Sequence, residues 1–408
     1  MGAGSAYVVL AILLSGALTY AFHAFATRAL GPEGYGLLAL LWSATFLMVQ
    51  VLWVSGTQTL GRYVSERGAR GEDWRPVVSS TLRWQLGLLA AFVLASLLAS
   101  PLLTEAVFQG NWWLTGAFVL AVAFYAPEYF RRGLFNGHRQ FARLGAQIVL
   151  ESVGRLALGV ALVVVGLGVW GPVAAVVLAP LIGVLAVGNR PPEPGGAAGP
   201  EFEAGEATRF AAPILVCMAI GQGFASGGVI LVSLLGGSPA EVAVFGAALI
   251  LTRIPQYVLS PAVESLLPHL SGTLASRGRR AFDRLVLRLG ALLVLVGVAM
   301  VVLSGLFGGW AVRVFTGDAA FSPGTVVLVL LAALAALYIF CDFLNQVLFA
   351  RGLTRLSMLA WILGVPVAVA LLVLPPGEDL LVGVSAALVS GIACVAAAQT
   401  GFCLFTKK

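Results

Sequence analysis

Ser65-Glu66-Arg67-Gly68-Ala69-Arg70-Gly71-Glu72-Asp73 aligns without a gap on Ala275-Ser276-Arg277-Gly278-Arg279-Arg280-Ala281-Phe282-Asp283. The register holds backwards as well: Tyr35 falls on Phe245, Gly36 on Gly246, Leu41 on Leu251, Ser55 on Ser265 and Leu60 on Leu270. Agreement over so long a stretch marks an internal duplication. Each copy of the loop follows a long apolar run, and each is basic. The positive-inside bias assigns both to the cytoplasmic side of a membrane, so each half crosses an even number of times. The halves are then parallel repeats about an axis along the membrane normal, an arrangement characteristic of transporters.

Composition agrees. Of 408 residues, 60% are hydrophobic and only 10% charged, with a mean hydropathy of +0.98. A soluble domain carries about 25% charge. The net charge of +6 comes from cations scattered between apolar runs, with no basic face for nucleic acid, so it reads as topology plus attraction to the anionic headgroups of membrane lipids. Cys217, Cys341, Cys394 and Cys403 lie in apolar runs without metal-type spacing and read as small hydrophobes; no metal or cofactor is implied. Met1 to Tyr7 has no basic region, and the first apolar run reads as a retained span.

Candidate spans fall at 6–28, 36–61, 77–99, 112–130, 145–167, 170–188, 209–234, 241–270, 285–307, 323–349, 356–374 and 380–404. The fold expected is therefore an all-α polytopic membrane protein with about twelve transmembrane helices in two six-helix lobes, 1–188 and 209–408. A cytoplasmic linker at 189–208 holds Pro191-Pro192, Pro194-Gly195-Gly196 and four glutamates. Nearly all of the 24 Lys+Arg lie on the side of the duplicated loops; Arg28 and Arg313 fall opposite, and Arg155 and Arg253 lie within spans. Both termini are thus assigned to the cytoplasm. Leu134-Phe135-Asn136-Gly137 and Leu348-Phe349-Ala350-Arg351-Gly352 form a weaker echo that pairs spans 4 and 10.

Ionisable groups at membrane depth are costly, so they pair, face a cavity or carry function. Glu151 and Arg155 stand at i and i+4 on span 5, as Glu128 and Arg132 do on span 4, the spacing of an ion pair on one helix face. Arg253 lies near mid-depth of span 8 with Leu249 and Tyr257 at i−4 and i+4. Facing a hydrated cavity, its planar fork suits phosphate oxygens; the alternative is pairing with a carboxylate such as Asp342 on span 10. His23 and Arg28 extend a cationic path along span 1, unless His23 is a packing residue and Arg28 snorkels to the interface. Asp342 heads a polar stripe with Asn345 and Gln346, and Glu264 stands near His269; either acid is a candidate for Na⁺ or H⁺ coupling or for an ion pair. Pro255 and Pro366 predict kinks.

Leu30-Gly31-Pro32-Glu33-Gly34-Tyr35-Gly36, leading into a second span, resembles the opening of polysaccharide flippases of the multidrug/oligosaccharidyl-lipid/polysaccharide exporter superfamily. The stretch from Arg253-Ile254-Pro255-Gln256 to Leu267-Pro268-His269-Leu270-Ser271 is similar to the eighth helix of that superfamily, found also in lipid II flippases. Tyr129-Phe130-Arg131-Arg132-Gly133-Leu134-Phe135-Asn136-Gly137 resembles its loop between helices 4 and 5. The resemblance implies a V-shaped exporter of the bacterial plasma (inner) membrane with a central cationic cavity. Its cargo would be a polyprenyl-diphosphate-linked oligosaccharide, turned to the outer leaflet by alternating access, with other polysaccharide-assembly proteins as partners. Unlike lipid II flippases, the chain lacks two further C-terminal spans, and Ser43 stands where the first repeat aligns with Arg253.

Two other functions compete. A cation-coupled multidrug exporter of the same superfamily would want an acidic cavity, whereas arginines here are at least as prominent as Asp342 and Glu264. A membrane-embedded enzyme of polysaccharide assembly, a glycosyltransferase or polymerase, would want acidic or histidine clusters at the outer face or a sizeable outer loop. The sequence has neither, nor a phosphate loop or an activated nucleophile, and so reads as a transporter, not an enzyme.

Overall fold

Gly31 divides the first two spans. The computed structural model describes residues 3–188, 193, 204–264, 266, 270, 273, 276, 278–373 and 379–406, excluding the side chains of 3–6, 204–214, 261 and 264. Helix α1 (Ala3–Arg70) bends at Gly31, which takes φ 67° and ψ −178°. A left-handed φ costs a residue bearing a Cβ roughly 1–2 kcal/mol, so glycine is the economical choice. Pro32 follows at the first position of the restarted helix, where a missing N–H is harmless. The other helices are α2 Arg75–Leu98, α3 Trp112–Gly137, α4 Phe141–Val164, α5 Trp170–Ala186, α6 Ala204–Ser226, α7 Gly228–Leu234, α8 Pro239–Thr252, α9 Ile254–Glu264, α10 Arg279–Thr316, α11 Thr325–Ala350, α12 Thr354–Val373 and α13 Leu380–Phe405.

Among the described residues nine helices are long and apolar enough to cross a membrane, with α8 and the start of α9 counted as one. Reading α1 as two spans, joining α6 to α7 and adding the shorter α5 brings these to the twelve expected from the sequence. The eighth span is a correction. It is not one kinked helix over 241–270: α8 stops at Thr252, Arg253 caps it, and α9 restarts at Ile254. Pro255 has no N–H to return to the previous turn, which explains the break. Pro366, by contrast, lies inside an unbroken α12. The linker read at 189–208 falls outside the described residues, apart from Glu193 and the helical backbone from Ala204, as do His269 and the Glu264 side chain.

The chain divides into two compact units, Met1–Ala212 and Pro213–Lys408. In the first, α1 packs on α3 and α4, and α3 packs on α5. Glycines set the closest approach. A Cβ on Gly133 would stand 2.9 Å from the Thr57 Cα, and one on Gly137 would stand 2.7 Å from the Leu60 carbonyl oxygen. This four-residue glycine spacing lets backbones touch, which in hydrocarbon replaces the hydrophobic driving force. The Thr57 hydroxyl donates to the Tyr129 carbonyl at 2.8 Å and the Trp53 indole to the Val122 carbonyl at 2.9 Å across the same contact. In the second unit α11 packs on α10 and α13, and α12 on α13. There a Cβ on Gly364 would stand 2.7 Å from the Gly391 carbonyl oxygen.

Helix ends are satisfied by opposite chemistries at the two ends of each unit. At one end Asn111 caps α3, a Ser238/Glu241 capping box opens α8, and Asp379 accepts from Leu381 and Val382 at the start of α13. At the other end arginines donate to terminal carbonyls. Arg131 reaches Val184 and Val187 at the end of α5, and Arg351 reaches Cys403 and Thr406 at the end of α13.

The turns after α3 and α11 share one hydrogen-bond pattern: Arg139 N–H to Asn136 O and Gln140 N–H to Phe135 O, against Gly352 N–H to Phe349 O and Leu353 N–H to Leu348 O. Arg139 (φ 55°) therefore corresponds to Gly352 (φ 71°), and the sequence echo is displaced by one residue: Leu134 matches Val347, not Leu348. The duplicated loops differ as well. Gly68 lies within α1 and Gly71 has the positive φ (69°), whereas in the second copy Gly278 has it (73°).

Replacing Gly137 by leucine is expected to lower the unfolding midpoint of the detergent-solubilised protein, since overpacking costs about 1–3 kcal/mol. Gly401→Ala, where a Cβ meets nothing within 4 Å, serves as control. A midpoint unchanged in Gly137→Leu would contradict the close α1–α3 approach.

Candidate functional site

Two clusters gather the polar residues at membrane depth, one in each unit. In the N-terminal unit Glu128 and Arg132 lie one helical turn apart on α3, as Glu151 and Arg155 do on α4. The Arg132 Nη2 lies 2.6 Å from Glu128 Oε1 and 3.3 Å from Glu151 Oε2, and Glu151 pairs in turn with Arg155. Tyr125 donates its hydroxyl to Glu151 Oε1 at 2.9 Å, and Arg155 Nη1 donates to the Thr19 hydroxyl at 3.3 Å. The Arg155 guanidinium stacks over Trp42 (4.9 Å) and Phe46 (5.8 Å). His23 meets the opposite demand on the same aromatic group. It stands edge-on to Trp42 at 4.5 Å, and its Nδ1 is 3.0 Å from the Tyr35 hydroxyl.

Two carboxylates face two guanidiniums, so the cluster is self-neutralised. Glu128, Glu151, Arg155 and His23 are all buried. Arg155 is therefore held by Glu151 rather than presented as a bare cation. Several atoms have no protein partner: Glu128 Oε2, Gln147 Oε1, Arg155 Nε and His23 Nε2. Buried polar atoms of this kind ordinarily meet water.

The second cluster forms where two spans break. Between Ser226 and Gly228 the chain turns by 63° from α6 into α7. A Cβ on Gly227 would stand 2.4 Å from the Gly223 carbonyl oxygen, so only glycine fits that corner. Arg253, at the gap between α8 and α9, donates from Nη1 to the Ser226 hydroxyl at 3.1 Å and from Nε to Gln256 Oε1 at 3.0 Å, and lies 5.4 Å from the Tyr257 ring centre. It is half-buried. Among the described residues no carboxylate pairs with it, Asp342 included, and Nη2 and one Nη1 hydrogen remain for an acceptor.

Asp342 is partly buried on α11. One turn further, the Asn345 side-chain Oδ1 accepts from Ser357 (2.5 Å), Trp361 (3.0 Å) and Gln399 (2.7 Å), tying α11 to α12 and α13. By the shared turn geometry Asn345 occupies the position of Arg132, so both repeats place a polar hub there, one charged and one neutral. Arg28 is exposed on α1. The sequence reading missed Arg132 as the link between the two ion pairs, Trp42 as the plate between His23 and Arg155, and Ser226 beside Arg253. The run Ser226-Gly227-Gly228 was the available signal for the second break.

Comparison with known proteins fixes the class. Over 94% of this chain and 92% of the other, the structure superposes with a TM-score of 0.71 and 18% identity on a multidrug resistance MATE family transporter of the MOP superfamily, solved in an inward-facing conformation. A MOP superfamily transporter from Pyrococcus furiosus, described as having a binding pocket of reverse polarity, gives a TM-score of 0.59 and 14% identity over 97% of this chain and 93% of that one. The fold is thus that of MOP-superfamily transporters, in a multi-pass membrane protein. The family profile described as Polysaccharide biosynthesis protein matches residues 1–274, and the chain belongs to that family. It is also 26% identical over 398 residues to an uncharacterized protein found in two Mycobacterium tuberculosis strains, covering 90% of this chain and 84% of the relative.

Because the N-terminal cluster balances its charges, Arg155→Met is expected to destabilise by about 3–5 kcal/mol through the excess carboxylate it leaves. Combining it with Glu151→Gln leaves Glu128 and Arg132 as a neutral remainder and should recover most of the loss. Thermal unfolding in detergent reads both variants, and equal losses would contradict the charge-balance account.

Proposed function

We propose that this protein moves a polyprenyl-diphosphate-linked oligosaccharide from the inner to the outer leaflet of a bacterial plasma membrane by alternating access, for cell-surface polysaccharide assembly. The observation that carries the reading is Arg253. Its guanidinium sits between two broken helices, held by uncharged partners, with donors to spare and no neutralising carboxylate among the described residues. Discontinuous helices of this kind build ligand sites in other transporter folds. A diphosphate suits a planar guanidinium, which binds its oxygens two at a time, while a polyprenyl tail can stay in lipid. Membership of a polysaccharide biosynthesis family supports the saccharide part of the cargo.

In this reading both termini and the arginine loops are cytoplasmic. Arg28 contributes positive potential, His23 and the charge-balanced Arg155 and Glu151 serve as a polar structural cluster, and Asp342 or Glu264 takes up the coupling H⁺ or Na⁺. A drug exporter for organic cations would need an uncompensated carboxylate, and Glu128 and Glu151 are both engaged by arginines.

The test is leaflet exchange of a fluorescent polyprenyl-diphosphate saccharide in proteoliposomes. Wild-type protein should exceed empty liposomes, and Arg253→Ala should slow exchange roughly tenfold or more, the equivalent of losing one charged hydrogen bond. Exchange no faster than in empty liposomes would overturn the proposed cargo, and equal rates in the two proteins would overturn the assignment of Arg253.

A further inference from the structure

Helix α10 (Arg279–Thr316) runs for 38 residues. That is about 57 Å, roughly twice the thickness of a hydrocarbon core. One face is buried against its neighbours: Phe282, Leu285, Leu289 and Leu293 pack with Ile339 and Phe343 of α11. The opposite face carries Arg280, Arg284 and Arg288 at successive four-residue steps, all three exposed, and then turns apolar. Leu287, Leu295, Val298, Val302 and Leu306 continue it, each at least half exposed. From Arg288 to Arg313, which is exposed at the far end, the helix covers about 37 Å, enough to cross a core of about 30 Å. The three arginines, spread over about 12 Å, therefore start at the hydrocarbon edge and run out through the headgroup layer.

The protein does not neutralise them. Among the described residues no carboxylate pairs with Arg280, Arg284 or Arg288: the neighbouring Asp283 lies 3.9 Å from Arg279, and Arg284 engages only its Nε, on the Arg280 carbonyl at 3.3 Å. The first unit is built otherwise. On α2, Arg75, Ser79 and Arg83 have the same spacing and are likewise exposed, but Arg75 is held by Asp73 at 3.0 Å and a serine takes the middle place. Arg70, just before α2, is paired with Glu66 at 2.6 Å. Sidedness needs only cations at this end, and both units supply them. Three uncompensated guanidiniums in one row ask for an anion as well.

The shape of the face selects the occupant. An acidic soluble partner would match the arginines and leave the apolar stripe uncovered, whereas a second copy docked about a two-fold axis would set arginine against arginine. A phospholipid with an anionic headgroup matches both parts, because its phosphate accepts from paired guanidinium donors while an acyl chain lies along the leucines and valines beyond. We propose that this face of α10 binds an anionic phospholipid from the leaflet on the arginine-rich side, with the phosphate between Arg284 and Arg288, and that the bound lipid fixes the depth of the second unit in the membrane. The site is independent of the cargo proposed above.

The test uses the full-length protein in phosphatidylcholine nanodiscs with a trace of photoreactive lipid, either phosphatidylglycerol or phosphatidylcholine, bearing a diazirine in one acyl chain. Mass spectrometry of the cross-linked peptides reads where each lipid sits. The phosphatidylglycerol probe should label residues 287–306 roughly twentyfold more than the phosphatidylcholine probe, the factor that two arginines are worth beside an anionic headgroup, and unlabelled phosphatidylglycerol should compete. Arg284→Gln should lower that preference about fivefold. Replacing Arg280, Arg284 and Arg288 together by glutamine should abolish it, and Arg284→Gln carries the test should the triple variant not fold. Arg83→Gln on α2 should leave the labelling of α10 unchanged. Equal labelling by the two probes, a wild-type preference in Arg284→Gln, or a lost preference in Arg83→Gln would overturn the site. Displacement of the probe by polyprenyl phosphate, at concentrations where phosphatidylglycerol does not displace it, would overturn the phospholipid assignment in favour of the cargo's own lipid.

Discussion

Facing hydrocarbon, a backbone N–H or C=O has no water at hand and must find its partner within the protein. The helices follow from this at once, and so do their ends. Each helix leaves unpaired N–H groups at its start and unpaired carbonyls at its finish. Here the starts of α3, α8 and α13 are closed by Asn111, Ser238 with Glu241, and Asp379. The finishes of α5 and α13 are closed by Arg131 and Arg351 from neighbouring spans. Helix dipoles favour acids at helix starts and bases at helix ends, and the positive-inside rule asks for bases on the cytoplasmic face. For spans running inward the two demands coincide, which explains why acidic caps and arginine clamps sort to opposite ends of each unit.

The same constraint shapes the interior polar residues, and the two repeats meet it differently. At equivalent positions on α3 and α11 the first unit places Arg132 and the second Asn345. Arg132 draws two carboxylates towards itself, whereas Asn345 gathers three uncharged donors onto one oxygen. Among the described residues, buried atoms without a protein partner lie mainly in the first unit, where Glu128, Gln147, Arg155 and His23 each leave one unmet. Duplicated in sequence, the halves have diverged at this position into a charged hub and a neutral one. The second unit carries Arg253 at a break in a helix.

Much of this was legible from the chain. Apolar length and the sidedness of arginine gave the spans, and Gly31-Pro32 marked the first corner. The spacing of Glu151 and Arg155 gave their ion pair, because partners one turn apart on a single helix need no tertiary information. What was not legible depends on contact between helices: Arg132 reaching from α3 to α4, Trp42 serving both His23 and Arg155, Ser226 meeting Arg253. Register was the other failure. Leu134 looks like Leu348, but the turn geometry pairs it with Val347, since hydrogen bonds and a left-handed residue define a turn more strictly than side-chain likeness does.

Pairing within one helix has a bearing on how such a chain reaches the membrane. A lone charge at the centre of an inserting helix costs about 2.5–3.5 kcal/mol on the scale set by the insertion machinery. Since Glu128 travels with Arg132 and Glu151 with Arg155, α3 and α4 each bring their own counter-ion through the translocon. The nascent hairpin can enter the bilayer already neutral, and the bridge from Arg132 to Glu151 then has only to join two finished helices.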